Sequence, residues 1–182
     1  WNWGSGSADL GANVYTVGNG EIVFSGHASS AWGNVVIIRH ELPAGRSDGQ
    51  DGGYVYSFYG HLQNLTFNVP DRYDPSKYQQ IGIDTKIAEI GPFSGGSPHL
   101  HFEMRWRENF LNNDWGYVAG ATASDARANA IAAGWLDPAE FLAEAATWTA
   151  SLPNTVPTAN DDTLNVRLRE DGTIIIPVAK LL

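Results

Sequence analysis

Apolar and polar residues alternate along most of the chain before residue 104, with the two-residue period of β-strands. Two such runs flank Gly18-Asn19-Gly20, so we predict a β-hairpin over 14–26. The continuous apolar run Val35-Val36-Ile37-Ile38 predicts a strand at 34–40 that is buried on both faces. Further strands are predicted at 54–61 and 84–90, and a loop at 91–98 is predicted to lead into a strand that carries His99 and His101. The pattern is that of a β-rich domain.

A helical pattern replaces the alternation towards the C-terminal part of the chain. The alanine-rich stretch 124–133 favours a helix, with Ser124 as its N-cap and Gly134 directly after its end. Asp137 and Pro138 are typical of an N-cap and a first helical position, which predicts a second helix from there to about residue 146. We therefore predict one mainly β domain over residues 1–147 that ends in a short helical segment.

The last residues differ again in composition. Residues 148–160 are rich in Thr, Pro, Ser and Asn without periodicity, which is typical of a linker. Residues 161–182 contain two alternating runs, at 163–166 and 173–178, on either side of the turn Glu170-Asp171-Gly172. We predict a partial β repeat there, because so few residues cannot close a β-sandwich.

The overall composition excludes several classes of function. The 182 residues carry a formal net charge of -9, whereas nucleic acid and anionic lipid both attract clustered Lys and Arg. The chain has no cysteine, so disulfides and thiolate zinc sites do not exist in it. No apolar run approaches the length of a membrane span. We therefore expect a folded domain with no nucleic-acid partner and no membrane span.

The strongest chemical signal is the stretch Ser97-Pro98-His99-Leu100-His101-Phe102-Glu103. On a strand, His99 and His101 point to the same face, with Leu100 and Phe102 directed into a core behind them. Two buried imidazoles on one face need a partner for each ring nitrogen. Their position after a glycine-rich loop favours metal chemistry over a structural role.

Five segments with characteristic sequences follow one another in the chain. They are Gly20-Glu21-Ile22-Val23, 33–40, Tyr59-Gly60-His61-Leu62, Ile90-Gly91 and the HxH stretch at 97–103. This order resembles the lysostaphin/LytM-type zinc metallopeptidases, which cut peptide cross-links in bacterial cell walls. The resemblance covers residues 1–104 and, more loosely, the helix after Asp137. It implies a compact antiparallel β-sheet metallopeptidase domain that acts outside the cytoplasm, as an extracellular, periplasmic or cell-surface protein.

The resemblance also implies a role for three histidines. The second histidine of the HxH motif, here His101, is a zinc ligand in that family. The first, His99, is catalytic and lies beside the zinc-bound water, with His61 as its partner in the site. One zinc ion lowers the pKa of bound water and polarises the scissile carbonyl. His99 and His61 are expected to move the proton or stabilise the oxyanion, and the sequence leaves open which of them is the base.

The family's other two zinc ligands come from an HxxxD motif, which this chain does not contain. Trp1-Asn2-Trp3-Gly4 resembles the segment that follows that motif, so we expect the missing His and Asp upstream of Trp1. The alternative is a degenerate relative without the ligands. Asp9 is the nearest substitute carboxylate, although we expect a surface Asp at a turn. These residues by themselves are expected to hold zinc poorly.

The remaining histidines and aromatic residues receive more ordinary predictions. His27 and His40 lie outside the motifs and are expected to be structural or solvent-facing. Aromatic residues of the strands are expected to be core and rim residues, with a substrate groove as the alternative; they are Trp32, Tyr54, Tyr56, Phe58 and Tyr59. No role is predicted for Trp106, Trp115 and Trp135.

Residues 157–182 resemble the first strands of cadherin-like repeats in large bacterial surface proteins. That resemblance implies calcium in a complete repeat, with Asp161 and Asp162 as candidate ligands, although paired acids after a linker are more often solvated.

Three functions are therefore open. The first is a zinc endopeptidase acting on peptidoglycan stem or bridge peptides, which the motifs favour. The second is an inactive relative that binds the cell wall or regulates another hydrolase. The third is an adhesive protein in which this domain is scaffold.

Overall fold

The computed structural model describes residues 7–43, 53–106 and 122–151, together with two short strands near the C-terminus. No helix in this part of the chain is long and apolar enough to cross a membrane. The strands are β1 (Asn13–Tyr15), β2 (Gly20–Ser29), β3 (Gly33–Glu41), β4 (Tyr54–Gln63), β5 (Gln79–Ile81), β6 (Lys86–Ile90), β7 (His101–Arg105), β8 (Trp135–Leu136), β9 (Arg167–Leu168) and β10 (Ile174–Ile175). The helices are α1 (Ala123–Ala132) and α2 (Pro138–Ser151), and a short 3₁₀ turn occupies Pro75–Lys77.

The central strand of the sheet is β4, which has three partners. One of its edges pairs with β3 along most of its length. The other edge pairs with β7 through 56–60 and then with β6 through Leu62 and Gln63. The order of the main sheet is β1-β6-β4-β3-β2-β5, with β8 on the outer edge of β7 and every pairing antiparallel. The predicted mainly β, antiparallel fold with short helices after it is confirmed.

The predicted hairpin over 14–26 is wrong, although both of its strands exist. β1 pairs with β6, while β2 pairs with β3 and β5 at the far side of the sheet. The turn between them is held by the segment before β6. The Thr16 N–H donates to the Thr85 carbonyl, and the Asn19 side chain accepts a hydrogen bond from the Ile83 N–H. These long-range bonds separate the two strands.

The strand predicted as buried on both faces is β3, and this prediction is confirmed. Val36 and Ile38 belong to one apolar cluster, and Val35 and Ile37 to the cluster on the opposite face. All four are at most 1% exposed. Complete burial of such a side chain contributes about 1.5–3 kcal/mol each, so this strand is a main source of the domain's stability.

The N-cap of helix α1 lies two residues before the predicted one. Thr122, rather than Ser124, is the N-cap, because Thr122 Oγ1 accepts from the Asp125 N–H while the Asp125 carboxylate accepts from the Thr122 N–H. The Thr122-x-x-Asp125 spacing is a variant of the capping box and was visible in the sequence. Gly134 follows the helix as predicted, in the left-handed region at φ 96°.

Helix α2 begins as predicted, since the Asp137 carboxylate accepts from the Ala139 and Glu140 N–H groups. It continues to Ser151, so its last turn overlaps the start of the predicted linker at 148–160. The first helix-breaking residue after it is Pro153.

Strands β9 and β10 pair antiparallel around the predicted turn at 170–172, and β9 starts one residue after the predicted 163–166 run. The linker beyond Ser151 and the calcium candidates Asp161 and Asp162 lie outside the described residues. The cadherin-like assignment stays a prediction.

His40 is a structural residue, whereas His27 is exposed on β2. The His40 ring is buried, donates from Nδ1 to the Asn19 carbonyl at 2.8 Å and accepts at Nε2 from the Ser57 hydroxyl at 2.7 Å. Burial lowers the pKa of His40 to about 4, although the bond to Asn19 opposes the shift. His40 is therefore neutral at physiological pH.

This burial predicts an acid-sensitive contribution to stability. An unfolded histidine has a pKa near 6.5. Between about pH 6.5 and 4, His40 is therefore protonated in the unfolded chain but still neutral in the folded chain. The stabilisation is complete above pH 6.5 and is lost as the pH falls through this window. The shift corresponds to roughly 3 kcal/mol. We expect the difference in unfolding free energy between wild type and His40→Gln to shrink by about this amount from about pH 7 to pH 4, measured by urea denaturation. A difference independent of pH would contradict the assignment.

Candidate active site

A β-bulge in β4 places the first residue of the site. Between β3 and β4, Asn34 pairs with Leu62 but Val36 pairs with Tyr59, so β4 contains one extra residue. His61 lies in this bulge at φ 59°, a left-handed conformation that non-glycine residues seldom adopt. Strict alternation would place His61 on the face opposite Gly60. The bulge instead turns its ring towards the residues of β7.

One face of β7 carries His101, Glu103 and Arg105, as the strand period requires. The side chains of Phe102 and Met104 pack in the core clusters behind it. The prediction that Leu100 and Phe102 face the core is therefore confirmed for the described residues, since Leu100 packs against the same apolar cluster as Phe102.

Gly60 stands opposite His101 in the β4–β7 pairing and leaves space for Trp32. The Trp32 ring lies 4.5 Å from the His101 ring and stacks on the His61 ring at 5.3 Å. A Cβ at Gly60 would come within 3.1 Å of the rings of Trp32 and Phe58. The absence of a side chain at Gly60 is thus what lets Trp32 bridge two histidines.

His99 does not lie on the strand, contrary to the prediction, because β7 begins only at His101. It belongs to the preceding loop, where its Nδ1 is 3.0 Å from the Ser97 carbonyl. A carbonyl only accepts hydrogen bonds, so Nδ1 carries a proton, and Nε2 is the nitrogen with the lone pair in the neutral ring. Phe93 packs between this ring and His61, at 4.9 Å and 4.4 Å.

The three histidines predicted as functional come together, with His61 in the centre. The ring centre of His61 is 4.8 Å from that of His99 and 5.9 Å from that of His101. Burial, and then the Coulombic effect of the neighbouring His99 and His101 side chains, lower the pKa of His61 to about 4, while the Trp32 carbonyl opposes the shift. His61 is therefore neutral at physiological pH. We call these residues the histidine cluster.

His101 is held by Glu103, for which the sequence predicts no role. The distance from His101 Nε2 to Glu103 Oε1 is 2.5 Å. The other carboxylate oxygen accepts hydrogen bonds from Arg105 and from the Trp135 indole N–H. Burial alone raises the pKa of Glu103, but the hydrogen bond from His101 and the positive charge of Arg105 outweigh it and hold this pKa below its usual range. Glu103 is therefore an anion, and His101 donates its Nε2 proton to it.

The side chains around His101 are of the type that binds a metal, but too few of them converge to hold one. A histidine that gives one ring N–H to a carboxylate and keeps the other nitrogen free has the arrangement typical of metal ligands. Within residues 7–43, 53–106 and 122–151, however, no three His, Asp or Glu side chains form a metal-binding group. Asp9 joins no such group and is buried at 5% exposure, so the prediction of a surface position is wrong, although it lies in the predicted turn.

Several residues of the site were missed in the sequence. Trp32 was grouped with core aromatics, and Phe93, Arg105 and Trp135 had no predicted role. The strand period would have placed Arg105 on the face of His101 and Glu103. Nothing in the local sequence indicates that Trp32, Phe93 or Trp135 reaches this face, because each arrives from another element. Tyr56, Phe58 and Tyr59 are core residues, as predicted.

Comparison with known proteins assigns the class. The sequence profile of Peptidase family M23 matches residues 6–113, which is more than half of the chain. The chain therefore belongs to Peptidase family M23.

The individual relatives share only 28% sequence identity with this chain. "Lipoprotein NlpD" of Yersinia enterocolitica is 28% identical over 102 residues, covering 56% of this chain and 86% of that protein. "Murein hydrolase activator NlpD" of Escherichia coli is also 28% identical over 102 residues, but the match spans only 22% of its length. The "Uncharacterized lipoprotein YgeR" of Escherichia coli is matched over 35% of its length. Among solved structures, the antimicrobial peptidase lysostaphin from Staphylococcus simulans aligns at 20% identity and a TM-score of 0.44, over 92% of this chain and 51% of lysostaphin.

The bulge predicts an unusual order of stability among substitutions at His61. Alanine at φ 59° is strained by about 1–2 kcal/mol, whereas glycine adopts this conformation without strain. We expect His61→Gly to be at least as stable as His61→Ala in urea denaturation. In an ordinary strand glycine is the less stable of the two, by roughly 0.5–1 kcal/mol.

His27 supplies the matched control, because it lies on β2 without a positive φ. There His27→Gly should be less stable than His27→Ala. The same order at both positions would show that the backbone at His61 is not strained.

Proposed function

We propose that this chain is a zinc-dependent endopeptidase that cleaves peptide cross-links of bacterial peptidoglycan. The observation that supports this most directly is the hydrogen-bond pattern of the histidine cluster. His99 donates from Nδ1 to Ser97, and His101 donates from Nε2 to Glu103. In the neutral rings, His99 Nε2 and His101 Nδ1 are the nitrogens that carry a lone pair. Among the described residues neither of these two nitrogens has a hydrogen-bond partner, which leaves both available to a metal or a proton.

In this proposal His101 is the metal ligand, bound through Nδ1. Glu103 holds the imidazole in the tautomer that leaves this nitrogen unprotonated, and Arg105 keeps the carboxylate anionic. Within the described residues His101 has no neighbours that would complete a three-residue ligand set. Bound zinc supplies Lewis acidity towards a peptide carbonyl and acidifies a water molecule.

His99 and His61 receive different roles on physical grounds. His99 Nε2 is an acceptor, which suits a general base that removes a proton from water. His61 has a strongly depressed pKa and stays neutral, so it is a poor base but a competent N–H donor to a developing oxyanion. Trp32 and Phe93 pack on these rings and reduce their rotation. The contacts of the two rings and the depressed pKa of His61 support this division of roles.

The substrate and location follow from the family and its relatives. Peptidoglycan is the material named for the murein hydrolase activators, and the relatives include lipoproteins. We therefore propose action in the cell envelope or outside the cell, on stem or bridge peptides. Calcium binding by a complete cadherin-like repeat is a separate proposal, and it rests on the sequence resemblance alone.

A second function is favoured by a specific observation. No metal-binding group of three residues occurs in the described part of the chain, and the Escherichia coli relative NlpD is named as an activator of murein hydrolases. An M23 domain without a complete zinc site would serve as a wall-binding or regulatory module. The two functions differ in whether the protein itself releases peptides.

The test uses the full-length product of the gene, so that any ligands upstream of Trp1 are present. We expect about one zinc ion per chain and release of peptides from purified peptidoglycan. His99→Ala should reduce turnover by roughly 10²–10⁴-fold without loss of zinc, as for removal of a general base. His101→Ala should lose both zinc and activity, measured by elemental analysis and by chromatography of released peptides.

The exposed His27→Ala serves as the control and should behave as wild type. A zinc-free protein that releases no peptide, but increases release by a separate wall hydrolase, would replace the enzyme proposal with the regulatory one. Full activity in His101→Ala would refute the assignment of the metal ligand.

A further inference from the structure

Trp135 belongs to β8, which lies between the two C-terminal helices and beyond the residues matched by the family profile. Its indole N–H donates to Glu103 Oε2 at 2.8 Å. Its ring also lies under the guanidinium of Arg105, with 4.1 Å between Cζ and the ring centre. The helical segment thus supplies a direct partner to the carboxylate that holds His101.

The strand pairing explains how Trp135 reaches this carboxylate. Trp135 is the cross-strand neighbour of Arg105 in the β7–β8 ladder, and cross-strand neighbours share a face. Arg105 lies two residues from Glu103, so the indole is diagonal to Glu103 on the face that carries His101. The contact is therefore a consequence of sheet register.

β8 is itself fixed by the elements around it. The backbone N–H of Trp106 donates to the Gly134 carbonyl. Leu136 packs in the apolar cluster that contains Met104 and Phe141. On the outside, Arg127 of α1 bridges to Asp137 and Glu140 around the start of α2. Trp135 is thus presented by a supported strand.

We propose that Trp135 is a positioning residue: its N–H orients the Glu103 carboxylate and thereby the His101 imidazole, which makes the C-terminal helical segment part of the active site. The role at His101 rests on the proposed function, whereas the coupling from Trp135 to Glu103 to His101 does not.

The geometry explains why one indole N–H has this effect. Arg105 and Trp135 both donate to Oε2, which turns Oε1 towards His101 Nε2. Without the indole donor, the carboxylate keeps only contacts along its own strand and gains freedom to rotate. The hydrogen bond to His101 Nε2 then weakens, and the Nδ1-protonated tautomer, whose Nδ1 is closed to a metal, becomes more populated.

The first experiment needs neither metal nor activity. Trp135→Phe keeps an aromatic ring under Arg105 and removes the N–H together with part of the indole; Trp106→Phe makes the same change in ring size. Imidazole ¹⁵N spectra of the metal-free protein should show His101 as the Nε2–H tautomer in wild type and a larger Nδ1–H share in Trp135→Phe. Glu103→Gln should give a mixture as well, because an amide both donates and accepts. If Glu103→Gln fails to fold, Trp135→Phe by itself tests whether Trp135 controls the tautomer of His101.

Trp106→Phe is the matched control. Trp106 packs on Phe141 in the neighbouring apolar cluster, and among the described residues its indole N–H has no hydrogen-bond partner. The Trp106→Phe variant should therefore leave the tautomer of His101 unchanged. Equal tautomer populations in wild type and Trp135→Phe would overturn the proposal, and so would equal shifts in Trp135→Phe and Trp106→Phe.

The second experiment measures zinc affinity by chelator competition on the full-length gene product. Removing a direct partner of a ligating histidine costs roughly 10–100-fold in metal affinity, so loss of Trp135's N–H, one step further away, should cost roughly threefold to tenfold. Trp106→Phe should bind as wild type. If wild type binds no zinc, the proposed function fails, while the tautomer spectra still decide the role of Trp135.

Discussion

The β-bulge in β4 is the constraint on which the site depends. β4 must pair with β3 on one edge while its other edge passes from β7 to β6, and the transition falls at His61. The extra residue of the bulge allows β4 to change its pairing partner from β7 to β6. It also reverses the expected face of His61 and brings this ring to His99 and His101. A left-handed histidine in a strand costs about 1–3 kcal/mol and persists only when surrounding structure holds it. Here the Trp32 carbonyl and the Gly91 N–H bind the backbone of His61 on both sides.

A second constraint is the buried charge of Glu103. A carboxylate removed from water is costly unless donors surround it. Glu103 has His101, Arg105 and Trp135, which come from the same strand and from the C-terminal segment. Arg105 is fully buried between the rings of Phe58 and Trp135, so its charge is also paired and packed. Loss of any one partner leaves the others incompletely satisfied. This makes the histidine cluster sensitive to residues that lie outside it.

Local features of the fold were predictable from the sequence because they depend on near neighbours. The period of two residues and the apolar run of β3 identified the strands, and Asp137 with Pro138 marked the start of α2. Pairing was less predictable. The turn at 18–20 predicts a hairpin, yet β1 joins β6, because Thr16 donates a hydrogen bond to Thr85 and the Asn19 side chain accepts one from Ile83. No local pattern reports such bonds.

The sequence by itself determined the family and the three histidines, because His61, His99 and His101 occur in short motifs with fixed neighbours. Only the tertiary structure decided their geometry and protonation. His99 lies on a loop, His61 enters through a bulge, and Glu103 sets the tautomer of His101. Trp32 and Trp135 join the site because Gly60 leaves space and because β8 pairs with β7. The face of His61, the tautomer of His101 and the charge of Glu103 depend on contacts between distant segments. These contacts form only when the chain is folded.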